Sequence, residues 1–273
     1  MNQKNILIFE QLLCDLSSTT NKNKELINEL NKSSISQLTK NLQARNQKYN
    51  SILSKLSSEF LDAKLRTIEK EEKSSCNLNV FKMFGLDEKK HSHIIANLLN
   101  PNAKHGQRHL FLNNFLDLLG IERFSDNENW TVTAEKGRVD ILLKRTHPHS
   151  VIIIENKSNY ANDQENQLYR YWHQEIYKTI QEKNLPHSYI LNPPNKFYQL
   201  VYLSPANWKI PTNNSIEKPS GWDKNLPNKT PLEIKHLLFS GHIVDWLTIS
   251  LEKIPEENTR LREYIIQYLE LWS

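Results

Sequence analysis

Glycine is scarce in this sequence, with only six among its 273 residues. So few glycines argue against the glycine-rich loops that hold phosphates and dinucleotides in many enzymes. The two cysteines, Cys14 and Cys76, form no CxxC pair, so the sequence predicts neither a zinc ribbon nor a disulfide framework. The shortage of glycine and cysteine thus argues against enzymes with glycine-rich phosphate loops, zinc ribbons or disulfide frameworks. The low cysteine content fits a reducing cytoplasm.

Long apolar runs are also missing. No run approaches the roughly 18 residues that a membrane-spanning helix needs. The opening segment MNQKNILIFEQLLCDL lacks the charged n-region, long apolar stretch and small-residue cleavage site of a secretory signal, with Lys4 as its one early cation, so the sequence predicts no such signal here. The sequence therefore predicts a cytoplasmic protein that has no membrane partner. Its net charge of +4 permits an acidic partner such as nucleic acid but does not require one.

Residues 1–76 differ in texture from the rest, because they contain no glycine, proline or tryptophan. Apolar residues recur there every seven positions, at Ile35, Leu42, Tyr49 and Leu56. This spacing predicts an all-helical N-terminal extension with a narrow apolar seam, folded as a hairpin if the polar cluster Ser17–Asn23 interrupts it. The seam either packs on its own domain or joins two chains in a coiled-coil homodimer.

Residues 77–273 have the pattern of a mixed α/β domain. We predict five strands: Trp130–Glu135, Val139–Lys144, Val151–Lys157, Phe197–Leu203 and Glu233–Ser240. We predict helices over His91–Leu99, His109–Leu119, Asn162–Lys183, His242–Leu251 and Asn258–Trp272. Lys136-Gly137 is a tight hairpin signal between the first two strands.

The second and third strands form the hairpin that carries the chemistry. If Lys144 faces Val151 across the connecting loop, Asp140 lies opposite Glu155. Directly opposed residues have Cβ atoms about 4.5–5.5 Å apart, so the two carboxylates would repel without a cation between them. A hard divalent ion such as Mg²⁺ prefers carboxylate oxygens and keeps water ligands. Lys157 follows Glu155 by two positions and therefore points to the same face.

Two acids, a lysine and a metal ion are the parts needed to hydrolyse a phosphodiester bond. The metal acidifies a water and polarises the phosphoryl oxygen. The lysine orients that water or neutralises the charge that develops on the phosphate. Each acid alone has a plainer interpretation as a strand-end carboxylate, and it is the combination that favours a catalytic site.

Several segments in this order resemble the PD-(D/E)XK nuclease superfamily, which has the restriction-endonuclease-like fold. The residues are Gly137-Arg138-Val139-Asp140 followed by Ile152-Ile153-Ile154-Glu155-Asn156-Lys157, with Val139 in place of the proline of the motif. Two further elements of the sequence resemble a bacterial branch of the superfamily. They are an E-x-x-H-S first helix (Glu88, His91, Ser92) and a Q-x-x-x-Y element (Gln167, Tyr171). The resemblance covers Phe84–Leu203 well and does not cover residues 1–76.

The resemblance implies a restriction-endonuclease-like mixed sheet flanked by helices, and a Mg²⁺-dependent deoxyribonuclease in which Mn²⁺ substitutes for Mg²⁺. Asp140 and Glu155 would bind the metal with the backbone carbonyl of Asn156, and Glu88 would reach the metal or one of its waters. Lys157 would be the catalytic lysine. The substrate would be DNA, and the biological role either defence against foreign DNA or DNA repair.

Gln167 and Tyr171 share one face of a helix, because they are four residues apart. That face either leans over the site, touching Lys157 or a substrate phosphate, or simply packs on the sheet through Tyr171. Arg138 either grips a phosphate near the scissile bond or pairs with Glu135.

Three other interpretations stay open. His105 and His109 have the spacing of a helical metal pair, but Gly106 follows His105 directly and no further zinc ligand is evident. His91 is either a partner of Glu88 or a packing residue. A non-catalytic nucleic-acid- or protein-binding member of the same fold, acting through its N-terminal helices, is the alternative to a nuclease.

Overall fold

The computed structural model describes residues 3–75, 77–137 and 139–272. The chain divides into two compact units, residues 1–78 and residues 79–273. The predicted organisation, a helical extension over 1–76 and a nuclease domain over 77–273, stays a prediction about independent folding.

The first unit is dominated by one continuous helix, α1 (Gln3–Ser74). The break predicted at Ser17–Asn23 is wrong, and so is the helical hairpin that depended on it. The hydroxyls of Ser18 and Thr19 donate to the carbonyl of Asp15, and the hydroxyl of Thr20 donates to that of Leu16. The helix continues because these side chains find partners on its own preceding turn.

The second unit is built on a five-stranded mixed sheet. The strands are β1 (Trp130–Lys136), β2 (Val139–Arg145), β3 (Ser150–Asn156), β4 (Tyr198–Ser204) and β5 (Ile234–Leu238). They lie side by side in chain order, with antiparallel pairing from β1 to β3 and parallel pairing from β3 to β5. All five predicted strands are confirmed, and Lys144 pairs with Val151 as the hairpin register predicted.

Helices flank this sheet. The helices of the second unit are α2 (Val80–Phe84), α3 (Glu88–Leu99), α4 (Leu110–Leu119), α5 (Gln167–Trp172), α6 (Lys178–Glu182), α7 (Ser188–Leu191), α8 (Asn213–Ile216), α9 (Val244–Glu252) and α10 (Thr259–Leu269). Two π-helical segments, His173–Tyr177 and Phe239–Ile243, precede α6 and α9.

The predicted helix start at Asn162 is wrong by five positions. Asn166 adopts a left-handed conformation with φ of 57°, so α5 begins only at Gln167. The backbone N–H of Asn166 donates to the carbonyl of Asn214, and its side chain donates to the carbonyl of Glu217. Residues 157–166 therefore form a loop that is fastened to the segment around α8.

Alternating side chains of the sheet pack in two apolar layers. Ile152 and Ile154 of β3 pack in a cluster that includes side chains of α3, α4 and α9. Val151 and Ile153 face the opposite layer, which includes Leu168 and Trp172 of α5. Side chains alternate along a strand, so Glu155 follows Val151 and Ile153 onto the α5 face.

Candidate active site

Asp140, Glu155 and Lys157 lie together at one end of the β2–β3 hairpin. Asp140 is the half-buried second residue of β2, and Glu155 lies near the end of a strand in which every residue is buried. Asp140 Oδ2 accepts a hydrogen bond of 2.6 Å from the backbone N–H of Asn156. The Nζ atom of Lys157 lies 2.6 Å from Glu155 Oε1. The three residues predicted from the hairpin register are thus in one cluster.

Both acids are held where a negative charge is costly. Burial raises the pKa of the Glu155 carboxyl well above its ordinary value, and the charge of Asp140 raises it further. Burial likewise raises the pKa of Asp140, against the opposing effect of the hydrogen bond from Asn156. Isolated carboxylates in such surroundings favour the protonated form, so a bound cation would stabilise the charged pair.

Lys157 stays an ammonium despite its burial. Burial by itself lowers the pKa of Lys157, but the adjacent Glu155 outweighs that effect, with Asp163 and Glu88 acting in the same direction, and the net pKa is raised. The pKa of Lys157 rises because its ammonium faces several carboxylates. The pKa of Glu155 rises because burial has the largest effect on its carboxyl. The site thus keeps a fixed positive charge beside two acids of raised pKa.

One carboxylate oxygen of Glu155 has the properties of a metal ligand. Glu155 Oε2 is buried and has no hydrogen-bond partner among the described residues. A buried carboxylate oxygen without a partner carries a desolvation penalty that a divalent cation would remove. The residues present therefore fit a hard divalent ion held by Asp140 and Glu155.

Glu88 is tied to the loop that follows β3. Its Oε1 accepts hydrogen bonds from the backbone N–H groups of Asn159 and Ala161, at 3.2 and 3.3 Å. Within the described residues, no group of three or more His, Cys, Asp or Glu side chains is arranged to hold a metal ion. The structure thus uses Glu88 to shape the loop, and its predicted reach to a metal or a metal-bound water stays a prediction.

Asn156 joins the end of β3 to α3. Its side-chain amide donates to the carbonyl of Glu88 at 2.8 Å and to Ser92 Oγ at 3.0 Å, while its Oδ1 accepts from the N–H of Ser158. These bonds hold the E-x-x-H-S helix against the strand that carries Glu155. The side chain of Asn156 is therefore occupied, and any contribution to a metal would come from its carbonyl, as predicted.

Gln167 and Tyr171 are buried on the face of α5 that meets Lys157. Gln167 Nε2 donates to the hydroxyl of Tyr171 at 2.9 Å, and its Oε1 lies 3.5 Å from Lys157 Nζ. The second distance is at the long end for a hydrogen bond. The two residues of the Q-x-x-x-Y element thus adjoin Lys157.

A cleft of about 760 Å³ opens beside these residues. We define the active-site cleft by its lining: Lys89, Glu135, Gly137, Val139, Asp140, Gln164, Gln167, Arg170, Tyr171, His173, Gln174, Glu175, Lys178 and Trp222. Asp140 is the acid of the pair that reaches this space, and three cationic side chains, Lys89, Arg170 and Lys178, share it. The same lining holds three carboxylates, Glu135, Asp140 and Glu175, so cations and acids share the cleft.

Asp163 is a member of the cluster that the sequence alone did not reveal. Its Oδ1 lies 4.0 Å from Lys157 Nζ and accepts from the hydroxyl of Tyr202 at 2.8 Å, while Oδ2 accepts from the N–H of Thr212 at 2.7 Å. Its side chain is only 1% exposed. Asp163 stands in a loop without periodicity, so no sequence pattern distinguished it from a solvated turn residue.

Other candidates are not brought to the site. His91 is buried against Trp272 and its Nδ1 lies 2.9 Å from the hydroxyl of Tyr268, so it is a packing residue. The Nε2 atoms of His105 and His109 contact the carbonyls of Asn100 and Glu128, which leaves the two histidines in structural roles.

The remaining prediction, on Arg138, lies outside the described residues.

The mixed five-stranded sheet contains the β2–β3 hairpin, which carries Asp140 on β2 and Glu155, followed by Lys157, at the end of β3. This arrangement defines a nuclease core of the restriction-endonuclease-like fold. A sequence profile of the PD-(D/E)XK nuclease superfamily matches residues 78–270, and the chain belongs to that superfamily. No curated protein and no solved structure matches the chain. None of the described helices is long and apolar enough to cross a bilayer.

Proposed function

We propose that this protein is a metal-dependent nuclease that hydrolyses DNA phosphodiester bonds with a water nucleophile and no covalent enzyme intermediate. The observation that carries the proposal is the buried cluster of Asp140, Glu155 and Lys157, in which Glu155 Oε2 is left without a hydrogen-bond partner among the described residues. Membership of the nuclease superfamily supports a nucleic acid as substrate. Three cations in the lining of the active-site cleft, Lys89, Arg170 and Lys178, offer contacts for phosphate groups.

Each residue has a distinct task in this reaction. Asp140 and Glu155 hold a divalent cation, Mg²⁺ or Mn²⁺, which when bound supplies an acidified water and polarises the phosphoryl oxygen. Lys157 places a permanent positive charge where negative charge develops on the phosphate. Gln167 keeps Lys157 in position, and Tyr171 in turn orients the amide of Gln167.

The test is a cleavage assay on single- and double-stranded DNA and RNA with Mg²⁺, Mn²⁺ or EDTA. We expect cleavage of DNA with either ion and none with EDTA. Asp140→Asn and Glu155→Gln should abolish cleavage, because each removes one charged ligand and keeps the side-chain shape. Lys157→Ala should slow cleavage about a hundredfold or more while DNA affinity falls less, as for loss of one preorganised stabilising group.

The control is Asp245→Asn, which makes the same charge change at an exposed position of α9. It should cleave as the wild type does. Undiminished cleavage by Asp140→Asn would show that the site is elsewhere. DNA binding without cleavage under every metal condition would identify a non-catalytic binding member of the fold instead.

A second part of the proposal concerns helix α1. We propose that its apolar stripe joins two copies of the chain in a homodimer. The residues at Ile35, Leu42, Tyr49 and Leu56 are each at least 51% exposed. A lone helix gains most of its stability by packing an apolar face, and seven-residue spacing suits a coiled coil. A second copy is a partner with a matching stripe.

A further inference from the structure

Two aromatic rings belong to the lining of the active-site cleft. His173 and Trp222 both line it, and their ring centroids are 4.5 Å apart with the planes inclined at 61°. Tyr177 stacks on His173 from the other side, at 4.9 Å and 17°. Both His173 and Trp222 are partly exposed. Aromatic surface is thus available in the same cavity as Asp140.

A π-helical segment brings His173 to the cleft. The segment runs over His173–Tyr177, between α5 and α6. An ordinary α-helix presents residues three or four apart on one face, yet three consecutive residues, His173, Gln174 and Glu175, line this cleft. The wider π turn accounts for this, and such turns occur often at functional sites.

Trp222 is carried by a loop that is braced on several sides. The ammonium of Lys218 donates to the carbonyls of Asp223 and Leu226, at 3.2 and 3.0 Å. The hydroxyl of Tyr169 on α5 donates to the carbonyl of Pro227 at 2.7 Å. The indole is therefore held in place before any ligand arrives, so little ordering cost falls on binding.

We propose that the indole of Trp222, supported by His173, forms a stacking shelf for an unpaired base of a single DNA strand lying in the active-site cleft. The inference rests on the proposed nuclease function and names the form of its substrate. Aromatic rings bind bases through their π faces without regard to sequence, and a base inside a duplex is already stacked. Lys89, Arg170 and Lys178 would contact the phosphates on either side.

The charge state of the shelf suits this role. Burial lowers the pKa of His173, and the neighbouring Lys178 lowers it further, so the imidazole is neutral at physiological pH. The neutral ring of His173 packs against the indole of Trp222 without adding charge to the shelf, while the separate cations supply the attraction for phosphate. The two kinds of contact are thus divided between different side chains.

The experiment measures binding by fluorescence anisotropy, in EDTA, of short single-stranded oligonucleotides that each carry one abasic site. At one position in the series, removal of the base should weaken binding by the wild type about tenfold, the scale of one base–aromatic stack. Trp222→Leu should bind the intact strand more weakly by a similar factor and lose the sensitivity to that abasic site. Trp222→Phe should keep part of it.

The matched control is Trp208→Leu, because Trp208 is 72% exposed and does not line the active-site cleft. It should retain the full sensitivity. If Trp222→Leu has a markedly lower melting temperature than the wild type, the sensitivity to the abasic site is measured by anisotropy in His173→Leu instead, and that result tests the shelf. Equal binding of every abasic strand by the wild type, or unchanged sensitivity in a folded shelf variant, would overturn the shelf.

Failure of the shelf and failure of the nuclease are distinguishable, because the anisotropy experiment involves no cleavage. Cleavage in Mg²⁺ without any abasic sensitivity leaves the nuclease and removes the shelf. Abasic sensitivity without cleavage in any metal leaves the shelf and removes the catalytic role.

Discussion

At the scale of single residues, the site is an arrangement of charges that the fold itself does not favour. Glu155 is buried near the end of β3, and the charge of the nearby Asp140 raises the pKa of Glu155 further. Lys157 compensates one carboxylate at 2.6 Å, but the pKa values of both acids remain raised. Buried charges of this kind cost stability, and that cost supports the proposal that they serve a chemical function.

The first prediction follows from the raised pKa of Asp140. A carboxyl whose pKa is higher in the folded state favours folding while it is protonated, and that contribution is lost as pH rises through the folded-state pKa. Asp140→Asn removes the ionisation, so at alkaline pH the metal-free variant should be more stable than the wild type by about 1 kcal/mol. At acidic pH, below the ordinary pKa of an aspartate, the gain should vanish.

The measurement is chemical denaturation across a pH series in EDTA, with Asp245→Asn as the control of equal charge change. Added Mg²⁺ should then stabilise the wild type, increasingly so as pH rises, because binding requires both acids to be deprotonated. Asp140→Asn should not respond to Mg²⁺. If Asp140→Asn is more stable than the wild type by the same amount at every pH, the gain does not come from the ionisation of Asp140.

At the scale of elements, α5 is the structure that connects the β2–β3 hairpin to the cleft. It buries Leu168 and Trp172 against the sheet and thereby fixes Gln167 near Lys157. Its amide–phenol pair, Gln167 with Tyr171, uses the i, i+4 spacing of one helix turn. A buried amide costs about 1–3 kcal/mol when unpaired, so its hydrogen bonds are what make its position tolerable.

The second prediction tests whether this pair acts on the lysine. Gln167→Ala should lower the cleavage rate about tenfold to a hundredfold, because a misplaced Lys157 loses its alignment with the phosphate. Tyr171→Phe should have a smaller effect, since the ring packing survives while the hydroxyl's bond to the amide of Gln167 is lost. Both should be measured as single-turnover rates at saturating DNA, together with melting temperatures.

Gln181→Ala is the matched control, because Gln181 Nε2 makes the same kind of bond, to the hydroxyl of Tyr177, at an exposed position. Its cleavage rate should equal that of the wild type. If Gln167→Ala lowers the melting temperature but leaves the rate unchanged, α5 is a purely structural support. Restored activity in a Gln167→Glu variant, which keeps an acceptor for Lys157, would favour the positioning role.

Much of this unit was predictable because its signals are local. The apolar runs of β2 and β3 predicted the hairpin, and its observed register pairs Ile141 with Ile154, the residues next to Asp140 and Glu155. Asp163 and Trp222 were not predictable, since both stand in loops whose paths depend on tertiary hydrogen bonds. The π-helical segment also has no sequence signature that distinguishes it from an α-helix.

At the scale of the whole molecule, the chain combines two units of different character. Residues 79–273 bury large apolar layers on both faces of a sheet. In α1, every residue from position 10 to position 70 is exposed. The polar cluster around Ser17–Asn23 does not interrupt the helix, so its stripe is presented along one uninterrupted rod. A 72-residue helix with this much exposed leucine and isoleucine is suited to association.

The third prediction concerns that association. Leu42 and Leu56 lie on the seven-residue stripe, so glutamate at both positions would place four like charges in the seam of a parallel dimer. The wild type should sediment as a dimer and the Leu42→Glu, Leu56→Glu double variant as a monomer. Gln47→Glu with Ser54→Glu adds the same charge on the opposite face of α1, and this control should remain dimeric. Because none of these residues belongs to the active-site cluster, cleavage per chain should be unchanged in both double variants. A monomeric wild type over the whole range of protein concentration would rule out the homodimer and leave α1 for a different partner.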